Sequence, residues 1–407
     1  MKKLISSLLF ILILNLSLNI VNSTAQWVQL QQIGNGDIRA FAVNGNNIFA
    51  GISNAGVYIS TNNGTNWTQT ALNNQQIASL AVLNNHIFAG SMTQVYVSTN
   101  NGTSWTQTSL NQNAYSLLVS GNNIFAGSYL GVYLSTDNGT SWTQTSLNNE
   151  QVWALAILGS NIFAGTGNGV YLSTNNGMNW TQTTLNNEDI RSFAVNGNII
   201  LAGSQGPTYG VYVSTDNGTS WTHTPLNSNI GSMTTSGNNI FAGTANYPAG
   251  TGGIWLTTNN GANWTLKNEG FVITQNGYSN VNSLLTTGNY IFAGTWGNSV
   301  WRRGLSEILT GVQNISTEIP QNFKLEQNYP NPFNPTTNIR YNLARNGFVK
   351  IVVFDALGRE IETLVNEKQM AGTYEAKFNA SQYSSGVYFY KLITDGFIET
   401  KRMVLLK

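Results

Sequence analysis

Hydrophobic positions between residues 26 and 304 fall into four kinds of short run, repeated in the same order along the chain. The first kind spans Ile38 to Val43. It recurs as IASLAV from Ile77, AYSLLV from Ala114, VWALAI from Val152, IRSFAV from Ile190, IGSMTT from Ile230 and VNSLLT from Val281. A turn such as NGNN or SGNN follows, then IFAG or, from Ile200, ILAG, then a GVYIS-like run, then a WTQT-like run. Apolar runs of this length bounded by Gly and Asn predict β-strands, and Asn-Gly between two of them predicts a tight hairpin. Each run type occurs seven times. One of the seven fourth-type runs stands alone at the start, as WVQL from Trp27, while the array ends on a third-type run at Val300 and Trp301. The N-terminal strand is therefore expected to complete the last unit and so remove the exposed edges of an open array.

Between the third and fourth runs lies an eight-residue box, present six times. Its copies are STNNGTNW (Asn62, Gly64, Trp67), STNNGTSW (Asn100, Gly102, Trp105), STDNGTSW (Asp137, Gly139, Trp142), STNNGMNW (Asn175, Gly177, Trp180), STDNGTSW (Asp216, Gly218, Trp221) and TTNNGANW (Asn259, Gly261, Trp264). The tryptophans recur roughly every 37 to 43 residues, which in a Gly-rich, strand-rich chain predicts one four-stranded propeller blade per repeat. The expected fold is all-β, a seven-bladed propeller over residues 26–304. The boxes resemble the Asp-box, Ser-x-Asp-x-Gly-x-x-Trp, of sialidases, sortilin-type receptors, some xyloglucanases and photosystem assembly factors. That resemblance implies the fold and leaves the activity open, because the box serves unrelated functions. Within the box, Asp or Asn is expected to bond turn amides, Gly to permit the turn, and Trp to be buried beneath it.

Composition narrows the function classes. The 407 residues are 9% charged, with a net charge of +1. A nucleic-acid or anionic-membrane partner would need a concentrated basic face that so few Lys and Arg do not supply. Two lysines, an apolar run and the small residues Ser23 and Ala25 predict a signal peptide over 1–25, cut before Gln26 and leaving no transmembrane segment. There is no cysteine, so an exported chain must rest on its core alone. His86 and His223 are the only histidines and lie near no ligand cluster, so no cofactor is expected. A Ca²⁺ ion held by loop carbonyls has no residue pattern in its favour.

Irregular loop lengths fall on one face of the expected propeller, at Ser204 to Tyr209, Thr244 to Gly252 and Asn268 to Asn280. Elaboration of one face marks a binding surface. The second position of the first strand should lie at the channel mouth on that face, and it varies: Arg39, Ala78, Tyr115, Trp153, Arg191, Gly231, Asn282. Arg39, Tyr115, Trp153 and Arg191 are the ligand-binding candidates, suited to stacking on sugars or gripping carboxylates. The alternative is that each Arg pairs with the acid two residues before it, Asp37 or Asp189. For catalysis, a two-carboxylate glycosidase could use Glu150 with Glu188 or Asp189. Their contexts, LNNEQ and LNNED, match LNNQQ elsewhere and read as ordinary loop positions. A sialidase arginine triad cannot be assembled.

After Arg303 a linker is expected over 305–320, followed by a charged segment of alternating strands that predicts a small antiparallel, Ig-like sandwich. Its motifs are NYPNPFNPTTNIRYNL from Asn328, VFDALGREIETLV from Val353, AGTYEAKF, SSGVYFYKL and the final KRMVLLK. They resemble the C-terminal sorting domain of type IX secretion substrates, over residues 321–407. Ala344 stands where that pattern usually has Pro. The resemblance implies export through the periplasm, recognition by the outer-membrane machinery, removal by a sortase-like peptidase, and a secreted or cell-surface destination. The sequence thus leads to a surface binding or adhesion propeller recognising an extracellular glycan or protein. An Asp-box glycoside hydrolase and a purely structural surface protein are its rivals.

Overall fold

The computed structural model describes residues 26–206, 208–245, 252–271, 280–297, 299–310, 312–316, 319–369 and 371–407. The expected signal peptide and the centres of the two longest loops lie outside them. Two compact units are present, one of them Trp27–Leu305 and the other containing Ser306–Lys407.

The first unit is built of seven four-stranded antiparallel sheets. In the first blade the strands are Ile38–Asn44, Asn47–Ile52, Gly56–Ser60 and Thr68–Gln69, paired in chain order. The first strands touch in a closed ring, with Ile38–Asn44 packed on the first strands of both the second and the seventh blades. The seventh sheet is completed by Val28–Gln29, where Val28 opposes Arg302 and Gln29 opposes Trp301. At that seam Ser283 Oγ donates to Ile38 O at 2.9 Å, the bond that Ser79 Oγ makes to Ala114 O at 2.8 Å elsewhere in the ring.

The IFAG tetrapeptide explains why the blades stack. Phe49, Phe88, Phe125, Phe163, Phe241 and Phe292 are fully buried, as is Leu201 in the variant copy, each a gain on the order of 2–3 kcal/mol of transfer free energy. The tetrapeptide's Gly lets the next blade approach: a Cβ on Gly165 would sit 2.7 Å from Ile190 Cγ2. The Phe in turn packs under the next blade's box, where a Cβ on Gly218 would meet Phe163 Cε1 at 2.4 Å.

The boxes are hydrogen-bonded turns. Ser60 Oγ accepts from Gly64 N at 2.8 Å, and Asn62 Oδ1 accepts from Asn66 N at 2.9 Å. Asp137 Oδ1 does the same for Ser141 N at 2.8 Å, so Asn and Asp are interchangeable for this role. Asn63 and Gly64 both have positive φ, 53° and 77°, and the pair recurs in every box, which is why Asn-Gly is retained there. The expectation that the box tryptophans are buried holds for Trp67, 7% exposed. Trp105, Trp142, Trp180, Trp221 and Trp264 are half-buried, because the fourth strand that begins at the indole is at the blade's outer edge, with no further strand to cover it.

Trp67 differs in a second way. Trp105, Trp180 and Trp264 donate Nε1–H to Thr70, Thr145 and Thr224 of the preceding blade at 3.1 to 3.3 Å. For Trp67 that place is taken by Leu30, whose N–H bonds Val300 O as Thr70 N bonds Val57 O. Trp67 Nε1 is buried without an acceptor.

The second unit holds two four-stranded sheets. One runs Val312–Ser316, Gly372–Asn379, Thr336–Leu343, Lys324–Leu325; the other runs Glu360–Gln369, Gly347–Phe354, Gly386–Thr394, Phe397–Leu405. They share a core that includes Phe333, Tyr341, Val353, Phe378, Tyr390 and Met403. The segment expected as a linker is not one. It contains the helix Leu305–Thr310 and the strand Val312–Ser316, which pairs with Gly372–Asn379 through Val312 opposite Ala376. An unpaired edge on Gly372–Asn379 would expose a row of backbone groups, and this strand covers it.

Candidate functional site

In six blades the register of the first strand skips one residue at its second position. Ile38 opposes Ile52 and Ala40 opposes Gly51, leaving Arg39 without a partner across the ladder. The same skip isolates Ala78, Trp153, Arg191, Gly231 and Asn282. In the third blade the ladder starts at Ser116, so Tyr115 lies just outside it. A bulge takes its residue out of the in-and-out alternation and re-aims it. That is how this one position can vary freely between constant neighbours, and all seven of these residues line a single cavity of about 560 Å³.

The candidates Tyr115, Trp153 and Arg191 form one continuous stack. The Tyr115 and Trp153 rings are 4.7 Å apart with an interplanar angle of 42°, and the Arg191 guanidinium carbon lies 3.6 Å from the Trp153 ring centre. Arg191 also makes two hydrogen bonds to Asp189, Nε to Oδ1 at 2.8 Å and Nη2 to Oδ2 at 2.7 Å. Arg39 meets Asp37 through Nη2 alone, at 3.1 Å, with its side chain 52% exposed. The arginines thus converge on the mouth, and each is paired with the acid two residues before it. The charges of these four side chains cancel.

Two cavity-lining residues went unread in the sequence. Met92 and Trp296 are 43% and 61% exposed and border the same cavity. Each follows a second strand directly, with its N–H bonded to the carbonyl of the residue just before the first strand of its own blade, Gln76 or Asn280, at 3.1 Å. Their signal was the variable residue after each IFAG-x. Gln205, Ala245 and Asn280, at the ends of the irregular loops, also line the mouth.

The carboxylates weighed for catalysis are not brought into the cavity. Glu150 accepts from Asn168 Nδ2 at 2.9 Å and from the Tyr171 hydroxyl at 3.1 Å. Glu188 is buried and accepts from Ser204 Oγ at 2.8 Å. Burial, then the Glu188 carboxylate beside it, push the Tyr212 phenol up to about 12. Both glutamates thus tie loops within their own blades, and Asp189 is engaged by Arg191. Arg303 pairs with Glu269 at 2.6 Å, and Arg302 lies 4.6 Å from the centre of the Tyr290 ring. Among the described residues, no three His, Asp or Glu side chains are grouped to hold a metal ion.

Residues 327–406 match the secretion system C-terminal sorting domain family. No curated protein matches the chain. Solved structures of similar fold include YCF48 bound to D1 peptide, 14% identical, covering 70% of this chain and 98% of that one, TM-score 0.55. PorZ, a surface component of the type IX secretion system of Porphyromonas gingivalis, is 14% identical over 92% of this chain and 60% of its own, TM-score 0.59. The extracellular domain of BT4673 from B. thetaiotaomicron is 15% identical over 78% of this chain and 45% of its own, TM-score 0.57. At these identities the likeness is one of fold. The chain is a seven-bladed β-propeller joined to a type IX sorting domain. It is a secreted or cell-surface protein whose tail interacts with the type IX machinery. No helix among the described residues is long and apolar enough to cross a membrane.

Proposed function

We propose that the propeller is a surface binding module whose ligand, an extracellular glycan or protein segment, enters the channel mouth. The observation that carries this reading is the convergence of the seven variable second positions of the first strands on one cavity of about 560 Å³, a size that suits small-molecule or short-polymer ligands. A rim with Tyr115, Trp153 and Trp296 concentrates aromatic surface, which binds sugar rings and peptide side chains alike. YCF48, of the same fold, was solved bound to a peptide, which supports a propeller of this kind as a binding surface. The test is the full secreted chain on an array of glycans and peptides, with released reducing sugar measured in the same wells. Binding lost in the Trp153→Ala, Arg191→Ala double variant supports the reading. Undiminished binding removes it, and sugar release would replace it with a hydrolase.

A further inference from the structure

The mouth is not uniform around its ring. The bulge residue of the second blade is Ala78, between Arg39 on one side and Tyr115 on the other. Beside it opens a recess of about 230 Å³, lined by Asp37, Arg39, Asn54, Gln76, Ala78 and Met92 among others. Asp37, Arg39, Ala78 and Met92 border both this recess and the main cavity, so the two spaces share a wall. Trp153, by contrast, has Tyr115 and Arg191 against its ring, which makes the aromatic stack a fixed wall.

Resting on the proposal of a ligand at the mouth, we propose that the recess over Ala78 is a subsite for one uncharged sugar ring. Its volume is below the ~300–1,000 Å³ of pockets that take a drug-sized molecule, so it has room for a single ring at the end or branch of a longer glycan. The lining combines an exposed thioether, Met92, with side-chain amides at Asn54 and Gln76. The amides offer both donors and acceptors to hydroxyls, while Met92 and Ala78 offer apolar contact to the C–H face. Arg39 keeps donors beyond the single Nη2 contact to Asp37, and that acid cancels its charge. A carboxylated sugar would meet Asp37 as well as Arg39, which removes the advantage of an acidic ligand.

The second position of the first strand holds Tyr, Trp and Arg in other blades, so Ala78→Tyr fills the recess at a position where the fold takes large side chains. The probes are cellohexaose, maltohexaose, mannohexaose and hexagalacturonate, titrated calorimetrically into the full chain. The expected result is binding of a neutral hexaose, at least about 10-fold weaker in Ala78→Tyr with an unchanged melting temperature. About 5-fold weakening is expected in Gln76→Ala from the loss of one hydrogen bond. Wild-type affinity in both variants, with binding still lost in Trp153→Ala, would overturn the subsite and leave the mouth as the binding surface. Tighter, salt-sensitive binding of hexagalacturonate would overturn the uncharged class. Failure of every hexasaccharide to bind the wild-type chain would overturn the subsite, and binding of a peptide instead would leave the broader reading standing.

Discussion

Arg191 lies with its guanidinium carbon 3.6 Å from the centre of the Trp153 ring, although the two belong to neighbouring blades. Neither is paired across its own strand ladder. Each is a bulge residue turned toward the mouth, and the contact between them spans the blade boundary. Asp189 holds the other edge of the same guanidinium through two bonds.

Arg191→Lys should therefore be more than a change of shape. An ammonium cannot hold two parallel bonds to Asp189 while lying flat on the indole. Loss of the stack and half of the ion pair at this partly exposed site should cost about 1–2 kcal/mol, read as a lower urea midpoint with an unchanged slope. A variant as stable as the parent would show that the stack contributes nothing.

The box glycines should be far less tolerant than the hairpin glycines, though both have positive φ. Gly197→Ala meets open space, and Gly218→Ala meets Phe163 at 2.4 Å. The first should cost about 1 kcal/mol from backbone strain alone; the second adds overpacking and should reach about 3 kcal/mol or more. Equal melting temperatures for the two variants would contradict the packing account.

Indole N–H groups should differ between blades. Trp180 donates to both Thr145 Oγ1 and Gly177 O, while Trp67 Nε1 has no acceptor because Leu30 stands at the threonine position. Trp→Phe should consequently destabilise by about 1 kcal/mol more at 180 than at 67. Thermal melts of the two single variants decide it.

Acid should weaken the two Asp boxes and leave the four Asn boxes untouched. Bonds from the Ser220 hydroxyl and amide hold Asp216 at about 2, below its ordinary 3.8, and Ser141 lowers Asp137 in the same way. A depressed folded-state value means that the contribution is present above the unfolded value, near 3.8, and is lost as pH falls toward about 2. Asp216→Asn should flatten that part of the acid-stability curve, and carboxyl NMR titration of the parent should show the depressed midpoint directly. A normal Asp216 midpoint would contradict it.

Removal of Asn322 to Lys407 should leave the protein in the periplasm of a host with type IX secretion. Fractionation with surface labelling reads the outcome, and normal surface delivery of the shortened chain would overturn the role of the tail.

The repeat itself made the blades legible. Strand order, the IFAG core, the Asn-Gly turns and the N-terminal strand in the seventh sheet all follow from short-range pattern, since backbone pairing and positive φ are local demands. The variable second position was legible as lining the mouth for the same reason, because one residue changed where its neighbours did not. The strand Val312–Ser316 was misread as linker, since an edge strand of five residues carries little alternation and its partner lies far along the chain.

Residue type and spacing thus determined which fold forms and which seven positions face the mouth. Tertiary structure alone decided what those positions can offer. Local pattern sets hydrogen bonds along a strand and pairs each of Arg39 and Arg191 with the acid two residues before it, whereas the flanking of Trp153 and the room left over Ala78 arise between blades. Those distances depend on how seven sheets close into a ring.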